Sequence, residues 1–155
     1  MDLAILVGLL VAPYMAVRLF SLEFDRGDAG ALGAALLFLA TGVAHFVKAE
    51  GMIGMLPEWA PARAFIVAAS GVFELGLAAA LLVRNTRRIA GWTALVFLVG
   101  IFPANVYASM TYSPMGGGSW GPLYLLVRAP VQVIFMSWIY RHCVLTSRPP
   151  RPEPA

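Results

Sequence analysis

The sequence predicts an all-α protein, a polytopic bundle of transmembrane helices. Three observations carry that expectation. Of the 155 residues, 60% are hydrophobic and only 12% are charged, about half the charged share of an ordinary soluble domain. The apolar residues fall into five long blocks, at residues 3–20, 31–47, 64–83, 89–110 and 123–140. The basic residues between those blocks collect on one side. Each block has about 17–22 residues, which at about 1.5 Å per residue crosses or nearly crosses an oil layer of about 30 Å. Helix is the economical form there, because each backbone amide must be satisfied within its own segment.

The first block could pass for a secretory signal. It has no positive start, carries Asp2 and lacks a small-x-small cleavage site, so it reads as a retained helix. The loop RNTRR at residues 84–88 holds three arginines. Arg141, Arg148 and Arg151 follow the last block, and Arg18 and Arg26 flank the first linker. With five helices these eight basic residues share one side, and the other side has Lys48 and Arg63. Basic loops stay in the cytoplasm, so the expected orientation is N-terminus outside and C-terminus cytoplasmic, in a bacterial inner membrane. The expected divisions are residues 1–30 (first helix and linker), 31–142 (four-helix core) and 143–155. The last, ending SRPPRPEPA, is expected to be a disordered cytoplasmic tail.

Polar residues inside the blocks locate a candidate site. Glu74 lies in SGVFELGL, Asn105 in FPANVYASM, and Arg128 and Gln132 in LLVRAPVQVIF, one turn apart on one face. His45 ends the second block. Counting from the outer helix ends puts His45 about 3 Å deep, Asn105 and Arg128 about 7 Å, and Gln132 and Glu74 about 14 Å. All five belong to the outer half, and nothing comparable stands in the inner half. An intramembrane charge costs about 2.5–3.5 kcal/mol or more, so it faces the bundle interior and finds a partner. Glu74 and Arg128 are therefore expected to pair directly or through water, with Asn105 and Gln132 completing the hydrogen bonds. Pro103 and Pro130 each free a carbonyl one turn earlier, at Val99 and Leu126. Gly71 and Gly76 flank Glu74 and allow close helix approach. The segments GMIGMLPEWAP and YSPMGGGSWGP could cover a polar cavity from outside, or be ordinary interfacial loops. An ion pair that merely fixes helix packing is the competing reading for Glu74 and Arg128.

Other chemistry fits less well. No basic patch is interleaved with aromatics, which argues against a nucleic acid partner. One cysteine, Cys143, excludes an internal disulfide framework. Met52, Met55, Met110 and Met115 share the outer side and would suit cuprous copper, but methionine is also an ordinary apolar filler. No metal site is assigned. His45 and His142 stand near opposite surfaces and cannot share a haem iron. No G-x-S-x-G, phosphate-binding glycine loop or H-E-x-x-H occurs.

Six short motifs run in order: GVAHF, MLPEWAP, SGVFELGLAAALL, RRIAGWTAL, FPANVYASM and VRAPVQVIFMSWIY. This series, from about Gly33 to Tyr140, resembles the DoxX-like family of small bacterial membrane proteins. The resemblance implies a four-helix core, to which this chain adds the N-terminal helix, five in total. It places the family's polar positions on His45, Glu74, Asn105, Arg128 and Gln132. It implies association with redox complexes, since the family takes its name from a subunit of a thiosulfate:quinone oxidoreductase. The first expectation is then a quinone-linked redox component. Glu74 and His45 would move protons while Asn105, Arg128 and Gln132 hold the ligand. No cofactor is intrinsic, a quinone would be bound, and a redox partner subunit would carry the electrons. Two alternatives stay open: a lipid, sterol or small-amphiphile binding or transport module, and a structural accessory subunit.

Overall fold

The structure is a computed structural model that describes residues 3–19, 26–111 and 118–146. The described residues are all-helical, without a strand. The helices are α1 (Leu3–Leu19), α2 (Arg26–Val47), the short α3 (Ala49–Ile53), α4 (Arg63–Leu82), α5 (Arg84–Met110) and α6 (Leu125–Ile139). A 3₁₀ segment, Gly118–Tyr124, leads into α6, and a π-helical stretch, Tyr140–Leu145, extends it. Among the described residues, four stretches are long and apolar enough to cross a membrane: Gly27–Val47, Arg63–Leu82, Arg84–Met110 and Trp120–Leu145. The outward surface suits such a setting. Phe65, Ile89, Val96 and Leu126 are each at least 70% exposed, a degree of apolar exposure that soluble monomers rarely sustain over a contiguous surface.

Helix α2 is the hub, because its buried face is built from small residues. Ala31, Ala34, Ala35 and Phe38 are buried there, and small side chains let backbones approach. Gly33 receives the backbone carbonyl of Leu10 on α1, where a Cβ would collide. On another side Gly42 meets Gly71 of α4. A Cβ on either would lie 3.1–3.2 Å from the other's carbonyl oxygen. Trp138 of α6 donates its indole N–H to the Gly30 carbonyl at 3.0 Å, and the Tyr14 ring of α1 packs edge-on against it. The remaining core, including Leu77, Leu81, Ala94, Leu98, Phe135 and Ile139, fills the space between α2, α4, α5 and α6.

The end of the bundle where α4 turns into α5 differs from expectation. Residues 84–88 are not a loop: α5 begins at Arg84, after a single extended residue, Val83. A helix C-terminus leaves carbonyls without partners, and here side chains cover them. Thr86 donates to Ala80 O at 2.8 Å, and Arg87 Nε donates to Leu81 O at 2.9 Å. Arg87 also bonds Asp28 at 2.6 Å, Arg84 joins the same carboxylate, and Arg87 is only 7% exposed. Asp28 sits in the first turn of α2, so one ionic knot joins three helix ends. This half of the molecule was expected to lack buried charge. The apolar blocks hid it, because polar residues at helix ends were assigned to loops.

The core also runs beyond residue 142. Cys143 and Val144 are buried against Gly91 of α5 and belong to the bundle rather than to a tail. Residues 147–155 lie outside the described residues. Replacing Arg87 by leucine should leave Asp28 with Arg84 alone and uncover the buried Leu81 carbonyl, costing about 1–3 kcal/mol. Thermal unfolding in nanodiscs would register that loss, while Arg88→Leu, at an exposed neighbour, should change little.

Candidate functional site

At the opposite end, the glycine crossing sets the register of α2 against antiparallel α4. Gly71 has no side chain, and the His45 Cβ stands 2.7 Å from where one would begin. His45 therefore folds over α4 and reaches Glu74, one turn deeper. The imidazole Nδ1 lies 3.8 Å from Glu74 Oε2 and 2.9 Å from the Thr41 carbonyl oxygen. A hydrogen bond to that carbonyl requires Nδ1 to carry the proton, which leaves Nε2 as the free acceptor of the neutral ring.

Glu74 is 4% exposed, and its Oε2 has no hydrogen-bond partner. The neighbouring Thr41 hydroxyl donates instead to the carbonyls of Leu37 and Phe38. An unsatisfied buried carboxylate oxygen costs on the order of 1–3 kcal/mol or more. It belongs to a cavity of about 900 Å³ whose polar walls include Thr41, His45, Lys48, Ser70, Glu74, Asn105, Tyr124 and Arg128. Ile66, Val67, Ile101 and Val127 supply apolar wall. Met52, Met55 and Leu56 enter from the segment between α2 and α4, and Trp120 from the segment before α6. The first suggested cover thus lines the cavity, although its Trp59 is 82% exposed and takes no part; the second does so through Trp120, its residues 112–117 lying outside the described ones.

Four of the five expected site residues share this cavity: His45, Glu74, Asn105 and Arg128. Asn105 is buried and makes no side-chain hydrogen bond among the described residues, so its amide is available to a ligand. The direct Glu74–Arg128 pair does not form. Arg128 stands in the first turn of α6, with its guanidinium 5.9 Å from the Tyr124 ring centroid, while Glu74 lies in the middle of α4 beside His45. The basic side chain beside Glu74 is His45.

Gln132 is not a wall residue. Its Nε2 donates to Leu98 O at 2.6 Å, bracing α6 against α5. That carbonyl is five residues before Pro103, next to the one expected to be freed at Val99. Gly76 also departs from expectation: a side chain there would meet nothing within 4 Å, so only Gly71 serves helix approach. No group of three or more His, Cys, Asp or Glu suited to a metal ion occurs among the described residues.

The missed wall residues follow one rule. Thr41, Ser70 and Tyr124 each stand four positions before His45, Glu74 and Arg128 respectively. Residues so spaced share a helix face, and that polar i, i+4 pattern was legible. Lys48, three positions after His45, shares its face in the same way.

Fold and site define an all-helical bundle of membrane-length helices with a buried acid–imidazole pair facing a cavity near one end. The chain belongs to the family described as "Domain of unknown function (DUF8561)", which matches residues 34–143. That stretch holds every cavity-lining residue and leaves α1 outside. No curated protein and no solved structure matches the chain.

Gly71→Ala should push His45 off Glu74 and destabilise the bundle by about 1–3 kcal/mol. Gly76→Ala should be neutral or gain up to about 1 kcal/mol from helix propensity. Paired thermal melts of the two variants check both signs.

Proposed function

We propose that this chain is a multi-pass protein of the bacterial inner membrane whose cavity binds a quinone headgroup, as a DoxX-like component of a quinone-linked redox complex. The observation that carries the reading is the buried, unpartnered Glu74 Oε2 beside His45, within a largely apolar cavity. A quinol presents two hydroxyl groups across a flat apolar ring. One hydroxyl donates to the Glu74 carboxylate, and because His45 Nδ1 is already protonated, the proton reaches His45 Nε2 through water and goes on toward the cavity mouth. Asn105 and Arg128 donate to the second oxygen. The isoprenoid chain leaves along the apolar wall of Ile66, Ile101 and Val127. Oxidation of the quinol releases two protons and two electrons. The protons leave through Glu74 and His45, and a partner subunit takes the electrons. Gln132 acts in this scheme only by holding α6 in place.

Helix α1 is the fifth span, packed on α2 through Leu10 and Gly33. Counting the basic residues then puts the arginine-rich end, with Arg84, Arg87, Arg88 and Arg141, in the cytoplasm and the N-terminus outside. The cavity lies toward the outer leaflet in that orientation.

A second reading has its own support. The apolar share of the walls would equally suit a lipid or sterol held without chemistry, its hydroxyl on Glu74. Mass spectrometry of the protein purified with its native lipids separates the readings. A quinone retained near one per chain, and depleted on the order of tenfold in Glu74→Gln, is the expected result. A retained sterol or phospholipid with no quinone would favour the second reading. An empty cavity, indifferent to Glu74→Gln, would leave the buried pair as a packing device.

A further inference from the structure

The cavity carries a positive charge that no acid among the described residues balances. Of the four acids among the described residues, Asp28 serves Arg84 and Arg87 at the far end, and Glu74 lies against His45. Glu50 and Glu58 are exposed, line no part of the cavity and form no ion pair among the described residues. Arg128 nonetheless faces the cavity with no carboxylate at ion-pair distance among the described residues, its guanidinium near the face of Tyr124. Lys48, at the start of α3, lines the same cavity and is likewise without an acid. A guanidinium on a membrane-length apolar helix requires a counter-charge. A ring face offers attraction but occupies none of the five N–H donors.

We propose that Arg128 and Lys48 form an oxyanion subsite in the cavity, taking a phosphate- or sulfate-class group. This goes beyond the quinone reading, and only the shared use of Arg128 rests on it. The guanidinium fork matches two oxygens of such a group, and the ammonium adds a point charge. Trp120, also at the cavity wall and 64% exposed, fits an interfacial position where lipid headgroups lie. The anion then comes either from a phospholipid headgroup or from a free anion in solution.

The full chain in nanodiscs distinguishes these sources. In discs mixing phosphatidylglycerol with phosphatidylcholine, native mass spectrometry counts the anionic lipid that stays bound. In pure phosphatidylcholine discs, thermal melts with millimolar sulfate, against chloride at matched ionic strength, count the free anion. Wild type should respond in at least one arm, with Arg128→Gln and Lys48→Gln each weakening binding on the order of tenfold. Arg128→Lys should recover part of it, and Arg88→Gln at the far end should behave as wild type. Response in the first arm alone assigns the lipid headgroup, and response in the second assigns a free anion. If wild type and both glutamine variants are indistinguishable in both arms, the subsite does not exist. Quinone content is read from the same samples. Glu74→Gln should lower it and leave anion binding intact, and Lys48→Gln should do the reverse, so either idea can fail alone.

Discussion

The site depends on the close backbone contact between Gly42 of α2 and Gly71 of α4. Each glycine faces the other's carbonyl so closely that a side chain on either would force its neighbours to shift. That contact fixes where the two antiparallel helices stand along each other. His45 then lies beside Glu74, and Thr41 beside both. A larger residue at either position would separate the helices, open the pair and change the shape of the cavity wall. The chemistry near Glu74 is therefore governed by residues that carry no chemistry of their own.

The two ends of the bundle handle buried charge in opposite ways. At the α4–α5 turn the buried charge is partnered: Asp28 binds Arg87 and Arg84, and Arg87 spends further donors on the carbonyls of Leu81 and Leu82. One buried atom near that end, His142 Nδ1, has no hydrogen-bond partner among the described residues, but it lines no part of the cavity. At the other end Glu74 Oε2 has no hydrogen-bond partner, and the Asn105 amide and the Arg128 guanidinium face open space. Polar groups in apolar surroundings are ordinarily satisfied. Glu74, Asn105 and Arg128 differ in opening onto one cavity, which argues that this end is built to meet something from outside the chain.

Much of this was legible in the sequence. The apolar blocks gave the helices, because a membrane-length helix needs little beyond an uninterrupted apolar run. Polar residues within those runs gave His45, Glu74, Asn105 and Arg128, because a charge in such a run has to face inward. Two things were not legible. Depth counted from helix ends set His45 near the surface and Glu74 mid-helix. The glycine contact overrides that count, since helix ends are not aligned with one another and register comes from packing. Polar residues at helix ends, Asp28 and Arg87 above all, read as loop because no apolar periodicity marks them. Gln132 has the composition of a ligand and the position of a brace, and only the Leu98 carbonyl opposite it tells the two apart.

The central claim is that the Glu74 carboxyl group meets a ligand inside the cavity. Infrared difference spectroscopy of the protein in nanodiscs, recorded with and without saturating short-chain quinol, observes that carboxyl group directly. A carboxyl band that shifts on quinol binding in wild type and is missing in Glu74→Gln is the expected result. A carboxyl region identical with and without bound quinol would contradict the claim and leave the cavity without the chemistry assigned to it.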